Sequence, residues 1–544
     1  MSVVKAQKNV GIQDPKTCKS LRFYFREYCN CSSIHGFKYF GEKRTYFERI
    51  WWFVVFSIVV GGCSYTIFQV YAKWKSSPVI VSFDTEETKI HDIPFPAVTI
   101  CPEIKTQKLV YNHTDIYLKI KRMENVTKTE EIQASYMNMI CDNIIGLKSN
   151  DNSSRLLSED FYDFLDNVTR KTIIKSCFWM GRKCNDLFFP IITDEGVCFT
   201  FNMFDRRDIF SDNVIHYQNY GISPDRRNLT WTMDKGYDSD VDLIDTYPKR
   251  AQYPGVKNAL DVTLAAYRED MDPFCKDSIQ GFKVMLHTPM RFPRAANSYL
   301  RVPLDQAVLG TIEPQKISTS EGVRMYTPKK RNCFFPLEKN LKYFKIYTQL
   351  NCNFECLTNL TLSFCQCVNF YMPRENGTAI CGPKKRECML AVERFLQARD
   401  ILHSIQEVMK NKTRSQIYTS KFHSILEAPN CSCLPICNDL TYSMDISQSR
   451  WDYQSKYVAL NQKNFNKKMR MSRLSIYFRT SQFVTSIRHE LYGIPDFVAN
   501  FGGLLGLFTG FSALSIMEIV YFLTIRMFCN IRLYGRWYGP EALR

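Results

Sequence analysis

Residues Ile50 to Ala72, IWWFVVFSIVVGGCSYTIFQVYA, run twenty-three positions without a formal charge between Arg49 and Lys73. A stretch of that length and polarity crosses a hydrocarbon core as one helix, and everything else in the chain must be arranged around it. Trp51 and Trp52 lie at one edge and Tyr71 and Trp74 at the other, the placement of interfacial aromatics. The run starts near residue 50 and lacks a small-residue cleavage pattern, so it reads as a retained anchor, not a removable signal peptide. A second apolar segment, Phe497 to Ile525, holds one acidic residue, Glu518, in twenty-nine positions. As a continuous helix it would be about 43 Å long. That exceeds a ~30 Å core, so tilt, a break or protrusion is expected. Lys38, Lys43, Arg44 and Arg49 precede the first span, and Arg526, Arg532 and Arg536 follow the second. Basic flanks of this kind place both termini in the cytoplasm.

Two spans are all the composition allows. With 23% charged residues and a mean hydropathy of -0.25, a 544-residue chain is too polar for a many-span transporter. The net charge of +17 is spread along the sequence without a dense basic stripe or nucleic-acid motif, so nucleic acid is not an expected partner. No HExxH, GxSxG or phosphate-binding glycine loop occurs, so the sequence reads as a non-enzyme that needs no cofactor and no metal.

The cysteines divide at the spans. Sixteen of the twenty-one lie between Cys101 and Cys437, enough for eight disulfides, while Cys18, Cys29, Cys31, Cys63 and Cys529 fall in or outside the spans, where reduced thiols are expected. The segment with the sixteen also holds nine Asn-x-Ser/Thr sequons, at Asn112, Asn125, Asn152, Asn167, Asn228, Asn359, Asn376, Asn411 and Asn430. Both features give residues 73–496 a luminal history. Alternating runs at Ala97 to Ile100, Val197 to Phe201 and Leu474 to Phe478 predict strands. Apolar residues at helical spacing predict a helix over Glu387 to Asn411, so this domain is mixed α and β. Residues 230–257, polar and aromatic, read as an ordered surface excursion.

Gly502, Gly506 and Gly510 recur every four residues in the second apolar segment, with Gly503 beside them. Such a small-residue face lets helices approach closely; it serves either a simple dimer contact or a narrow axial pathway lined by backbone. Glu518 favours the pathway, because an acid deep in a span needs water or a partner. Its plainer reading is a snorkelling or helix-pairing acid near the inner end.

His35-Gly36, Phe95-Pro-Ala-Val-Thr-Ile-Cys101-Pro102, Gly196-Val-Cys198-Phe-Thr-Phe-Asn202 and the cysteine cluster from Cys333 to Cys437, in that order, resemble the epithelial sodium channel and degenerin family. The chain is most similar to its insect pickpocket branch, and the resemblance covers nearly the whole length. It implies a trimeric two-span α-helical membrane protein with a large disulfide-rich mixed α/β extracellular domain, a hand-shaped fold like that of acid-sensing channels. It also implies a nested set of pairs, Cys333–Cys437, Cys352–Cys433, Cys356–Cys431, Cys365–Cys388 and Cys367–Cys381, with Cys101–Cys198 and Cys177–Cys184. Cys141 and Cys275 remain and are paired by exclusion.

Carried onto this sequence, the family's Gly-x-Ser selectivity filter falls on Gly510, Phe511 and Ser512. Phe511 is bulkier than the small residue common there, which leaves the choice among Na+, Li+ and K+ open. Ala499 matches the position where bulky side chains jam such channels open, and Asn500 stands where the acid-sensing branch often has Asp. Ala499, Asn500, Gly502, Gly503, Gly506 and Glu518 are the expected pore and gate residues, and His35 and Gly36 the N-terminal gating pair. Tyr71 matches an aromatic that meets the helical thumb. The Trp often found before the first thumb cysteine is replaced near Lys330.

The expected organisation is a cytoplasmic segment 1–49, a first span 50–72, an extracellular domain 73–496, a second, pore-lining span 497–525 and a cytoplasmic tail 526–544. The expected function is a subunit of a sodium-permeable, amiloride-sensitive channel in the plasma membrane. It would be gated through its extracellular domain, serve a sensory or epithelial role, and assemble with identical or sister subunits in contact with membrane lipid. The alternatives are a non-conducting two-span adhesion or ligand-binding receptor, or an auxiliary subunit that conducts only beside a sister. A purinergic-type trimeric channel shares the topology, but its cysteine order and basic nucleotide pocket are not recognisable.

Overall fold

The computed structural model describes residues 15–76, 79–141, 156–225, 227–409, 431–460 and 468–538. The chain divides into two compact units. Among the described residues one is helical, with those up to residue 80, 320–326 and those from 489 onward; the other, with those within 81–319 and 327–488, is rich in β-structure.

In the helical unit the first apolar run lies within one helix, Tyr46–Ser76, four residues longer at each end than the uncharged run. Ile50, Trp51, Phe53, Ile58, Tyr65 and Phe68 are all exposed on it. A helix apolar on every side that leaves so many large apolar side chains exposed suits lipid, not a soluble core. Cys63 is its one buried residue, with its thiol 3.9 Å from the Leu504 carbonyl. Close by, a Cβ on Gly62 would sit 3.6 Å from the Phe508 ring, so the two glycine-bearing helices meet where side chains are smallest.

The second apolar segment, expected as a span over 497–525 with tilt, a break or protrusion, is broken. It forms three helices, Ile494–Thr509, Ala513–Leu523 and Ile525–Tyr534. The expected break is therefore at 510–512, and helix continues beyond Ile525. Two stretches are long and apolar enough to cross a membrane, Tyr46–Ser76 and Ala513–Tyr534. Gly510 makes the first break by adopting φ of 65°, a left-handed conformation that ends the preceding helix. Ser512 then caps the next helix in a reciprocal arrangement: its backbone N–H donates to Ser515 Oγ at 3.1 Å, and the Ser515 N–H donates to Ser512 Oγ at 3.4 Å.

The β-rich unit is built on two sheets. In the larger, strands run in the order 79–89, 482–490, 306–319, 469–478, 260–267, 174–179 and 182–183, with 439–450 also paired to 306–319. The smaller orders 300–302, 282–287, 97–102, 196–201 and 189–193. The predicted strands at 97–100, 197–201 and 474–478 are present within these, and the predicted helix at 387–411 is Arg386–Met409. Residues 230–257 carry a short hairpin that buries Trp231 against Tyr237.

Two motifs that are far apart in sequence are neighbours here. Val98, Thr99 and Ile100 pair with Phe201, Thr200 and Phe199, and the adjoining Cys101 and Cys198 form a disulfide. Every residue of strands 97–102 and 196–201 is buried, so the polar positions of these alternating runs are enclosed too, and Thr99 Oγ1 donates to Thr200 Oγ1 at 2.9 Å. Phe95 leads into the first strand with no exposed surface and packs on Trp179 and Phe478 at ring distances of 4.4 and 5.6 Å.

The other disulfides join Cys141 to Cys275, Cys177 to Cys184, Cys333 to Cys437, Cys352 to Cys433, Cys356 to Cys431, Cys365 to Cys388 and Cys367 to Cys381. The nesting has a geometric cause. Cys352 and Cys356 stand four apart on one face of helix Gln349–Cys365, while Cys431 and Cys433 flank Ser432, whose φ of 45° turns the backbone between them, so two thiols from a single turn meet two from one helix face. Cys29, Cys31, Cys63 and Cys529, all in the helical unit, are free thiols.

Candidate functional site

The break at Gly510 to Ser512 is where the helical unit gathers its polar groups. Helix Pro15–Cys31 ends just before a loop carrying Ser32 to Gly36, and this loop meets the break. The His35 backbone N–H donates to the carbonyl of Thr509 at 2.9 Å. That carbonyl belongs to the last turn of Ile494–Thr509, where helix carbonyls have no partner in their own helix. Gly510 lies against the His35 imidazole so closely that any side chain there would collide with the ring. Gly36, at φ of 90°, turns the loop and faces the Phe56 ring, to which its Cβ would come within 3.5 Å.

Glu518 sits one and a half turns into the following helix and is satisfied by the same loop. Its Oε2 accepts from the Ser33 backbone N–H and from Ser33 Oγ, both at 3.0 Å. Ser33 Oγ also lies 2.7 Å from Ser515 Oγ, which is itself part of the Ser512 cap. A carboxylate that would be costly in a span is thus held by two neutral donors. Further along, Arg526 donates to Glu27 at 2.5 Å, and the Tyr24 hydroxyl donates to the Phe522 carbonyl. Three successive contacts therefore fasten the N-terminal helix and loop to the interrupted helix.

Not all the expected pore residues converge on this point. Ala499 and Asn500 lie on helix Ile494–Thr509, more than two turns before the break, and both are exposed. The Asn500 amide donates back to the Asp496 carbonyl at 2.9 Å, within its own helix. Gly502 and Gly503 are exposed, with open space where a side chain would project, and a Cβ on Gly506 would meet only the Phe511 carbonyl, at 3.9 Å. This glycine face is open in the single chain. Tyr71 is partly exposed and touches Trp74, which in turn packs on Phe497 at a ring distance of 5.5 Å.

Of the sequons, Asn125, Asn167, Asn228, Asn359 and Asn376 present exposed residues, and Asn112 is partly buried as the cap of helix His113–Lys121. Asn152, Asn411 and Asn430 lie outside the described residues.

Sequence reasoning passed over Ser33, Ser515 and Thr509. The signal for the cap was present, since Gly510 followed by Ser512 and Ser515 is a helix stop and restart. Nothing local marked Ser33, whose partner Glu518 is 485 residues away.

Comparison with known proteins places the chain in a family. The family model described as amiloride-sensitive sodium channel matches residues 28–522. Pickpocket protein 28 of Drosophila melanogaster is 27% identical over 523 residues, covering 93% of this chain and 79% of the relative. Sodium channel protein Nach of Drosophila ananassae is 23% identical over 93% of this chain and 87% of the relative. The bile acid-sensitive ion channel of Mus musculus is 21% identical, covering 92% and 87%. With the match running from before the His35 loop to the helix that carries Glu518, the chain belongs to the amiloride-sensitive sodium channel family and is a sodium-channel subunit.

Proposed function

We propose that three such subunits, identical or mixed, surround one axis, with the interrupted second spans lining a passive Na+ pathway. The observation that carries this reading is the break at Gly510-Phe511-Ser512 with the His35 loop bonded to it. Non-helical backbone at membrane depth is tolerated where it lines a water-filled path, and it turns carbonyls toward that path. Phe511 contributes its carbonyl to the constriction regardless of its ring, so a bulky middle residue is compatible with a backbone filter. The open glycine face of Gly502, Gly503 and Gly506 is the surface through which neighbouring copies approach.

In this reading both termini are cytoplasmic and the disulfide-bonded domain faces outward, where oxidation and the exposed sequons are in keeping. The assembly resides in the plasma membrane. A stimulus at the outer domain opens the pore through its difference in affinity for closed and open states. Amiloride-like cations lodge in the outer pore.

Voltage clamp of cells expressing Ala499→Val, with and without external Na+ and amiloride, tests the proposal. A constitutive inward Na+ current blocked by amiloride is expected, alone or beside sister subunits. Glycosylated surface protein that passes no current in either setting would leave a non-conducting receptor.

A further inference from the structure

A cavity of about 180 Å³ lies inside the β-rich unit, walled by helix Asp160–Val168, strand Phe189–Thr193, the segment 203–221 and the loop 370–374. Its volume is close to that of an engineered cavity that takes up benzene, about 150 Å³. There is room for one ring.

The walls are aromatic and held in place. Phe210 lies 5.6 Å from Phe292, and Tyr162 stacks on Tyr217 at 5.7 Å with an interplanar angle of 23°. The Tyr162 hydroxyl donates to the Phe370 carbonyl at 2.8 Å, and the Ile215 N–H donates to the Arg374 carbonyl at 3.0 Å. These bonds tie opposite walls together, so the space is preformed.

Two guanidinium groups face it, and they differ. Arg374 is 5% exposed and donates to both Glu159 oxygens at 2.7 Å, so its charge is neutralised. Arg206 has no carboxylate partner among the described residues. Its Nη1 donates to the carbonyls of Gln218 and Tyr220 at 2.7 and 3.0 Å. Packing of its stem on Gly221, where even a Cβ would come within 3.2 Å, fixes the fork. Beside it His216 stands edge-on to Phe210 at 5.0 Å, with no hydrogen-bond partner among the described residues. Burial and the Arg206 charge push the imidazole down to about 4, against the weaker pull of Asp205, so the ring is neutral and one nitrogen carries a proton to donate.

We propose that this cavity binds a single-ring aromatic carboxylate, with the ring among Phe210, Phe292 and Tyr162 and the carboxylate on Arg206 and His216. A planar anion matches the guanidinium fork, and the aromatic walls offer its ring an apolar surface. Site and ligand are independent of the pore reading, because binding is measured without current.

The test uses the purified full chain in detergent with benzoate, benzamide and benzylamine as probes, read by saturation-transfer NMR and titration. Benzoate should bind at least about tenfold more tightly than benzamide, and benzylamine not at all. Arg206→Gln keeps donors for the two carbonyls but should abolish the preference for benzoate over benzamide. Filling the space with Val214→Trp, or with Met372→Phe where the first variant melts below the native chain, should remove binding of both. Absence of benzoate binding, equal binding of all three probes, or benzoate binding unchanged by the filling substitutions would overturn the proposal.

Discussion

The backbone N–H of His35 donates to the carbonyl of Thr509 at 2.9 Å, joining the N-terminal loop to the last residue before the helix break. This contact, the Gly510 turn and the Ser33–Glu518 pair form one connected structure. A residue on one side of the break cannot shift without loading the others.

Gly510→Ala should therefore be more harmful than an ordinary helix-end substitution. A left-handed alanine costs roughly 1 kcal/mol on its own, and here its methyl also meets the His35 ring. Current per surface channel should fall severalfold. His35→Ala in the same chain removes the collision but not the backbone strain, so the double variant should recover part of the current. No recovery would show that the ring contact is not what constrains residue 510.

Ser33→Ala and Glu518→Ala should each shift the balance of open and closed states, and their effects should not add. Ser33→Ala removes the Oγ bond to the carboxylate and leaves the backbone N–H bond, so one hydrogen bond, worth about 1 to 3 kcal/mol, is common to the two substitutions. A double-mutant cycle on open probability measures the coupling. Glu518→Gln, which still accepts from Ser33, should be milder than Glu518→Ala. Additive effects would separate the loop from the acid.

Glu195→Gln should destabilise the β-rich unit strongly. Glu195 is buried and faces Lys105 at 3.0 Å, Lys283 at 2.7 Å and Lys276 at 3.5 Å. Burial alone would raise its carboxyl, but these ammonium groups outweigh it and hold the group down at about 2. Removing the charge leaves buried cations uncompensated, at a cost of about 3 to 5 kcal/mol. Thermal unfolding of the detergent-purified chain should show a clear drop in Tm; an unchanged Tm would contradict the arrangement.

Acid should weaken the same unit in a defined window. His216 and His287 are both pushed down to about 4, chiefly by burial, with Arg206 acting on the first and Arg291 on the second. A histidine with a lowered folded value contributes stability above its unfolded value near 6.5 and loses it as pH falls toward 4. His287→Gln can keep the bond that His287 Nε2 makes with Thr99 Oγ1 at 2.9 Å while removing that titration. The variant should show a shallower fall of Tm between pH 6.5 and 4 than the native chain. An equal slope would place the acid sensitivity elsewhere.

Much of this architecture was legible because it is written locally. The uncharged run 50–72 lies within helix Tyr46–Ser76, and the strands at 97–100, 197–201 and 474–478 follow from short apolar patterns. The excess length of the second apolar segment announced an irregularity, and Gly510 with Ser512 supplied the stop and restart. What the pattern did not carry was the extent of that segment, because helix Ile525–Tyr534 is polar enough to read as tail.

The sequence by itself determined the first apolar helix, the partition of the cysteines and, through ordered motifs, the family. Each of these depends on composition and spacing along the chain. Tertiary structure alone decided that Glu518 is held by Ser33, that Thr509 receives the His35 N–H, and that Arg206 and His216 share an aromatic cavity with residues of the loop 370–374. Those pairings are set by which surfaces meet when helices and sheets pack, and no local pattern encodes a partner hundreds of residues away.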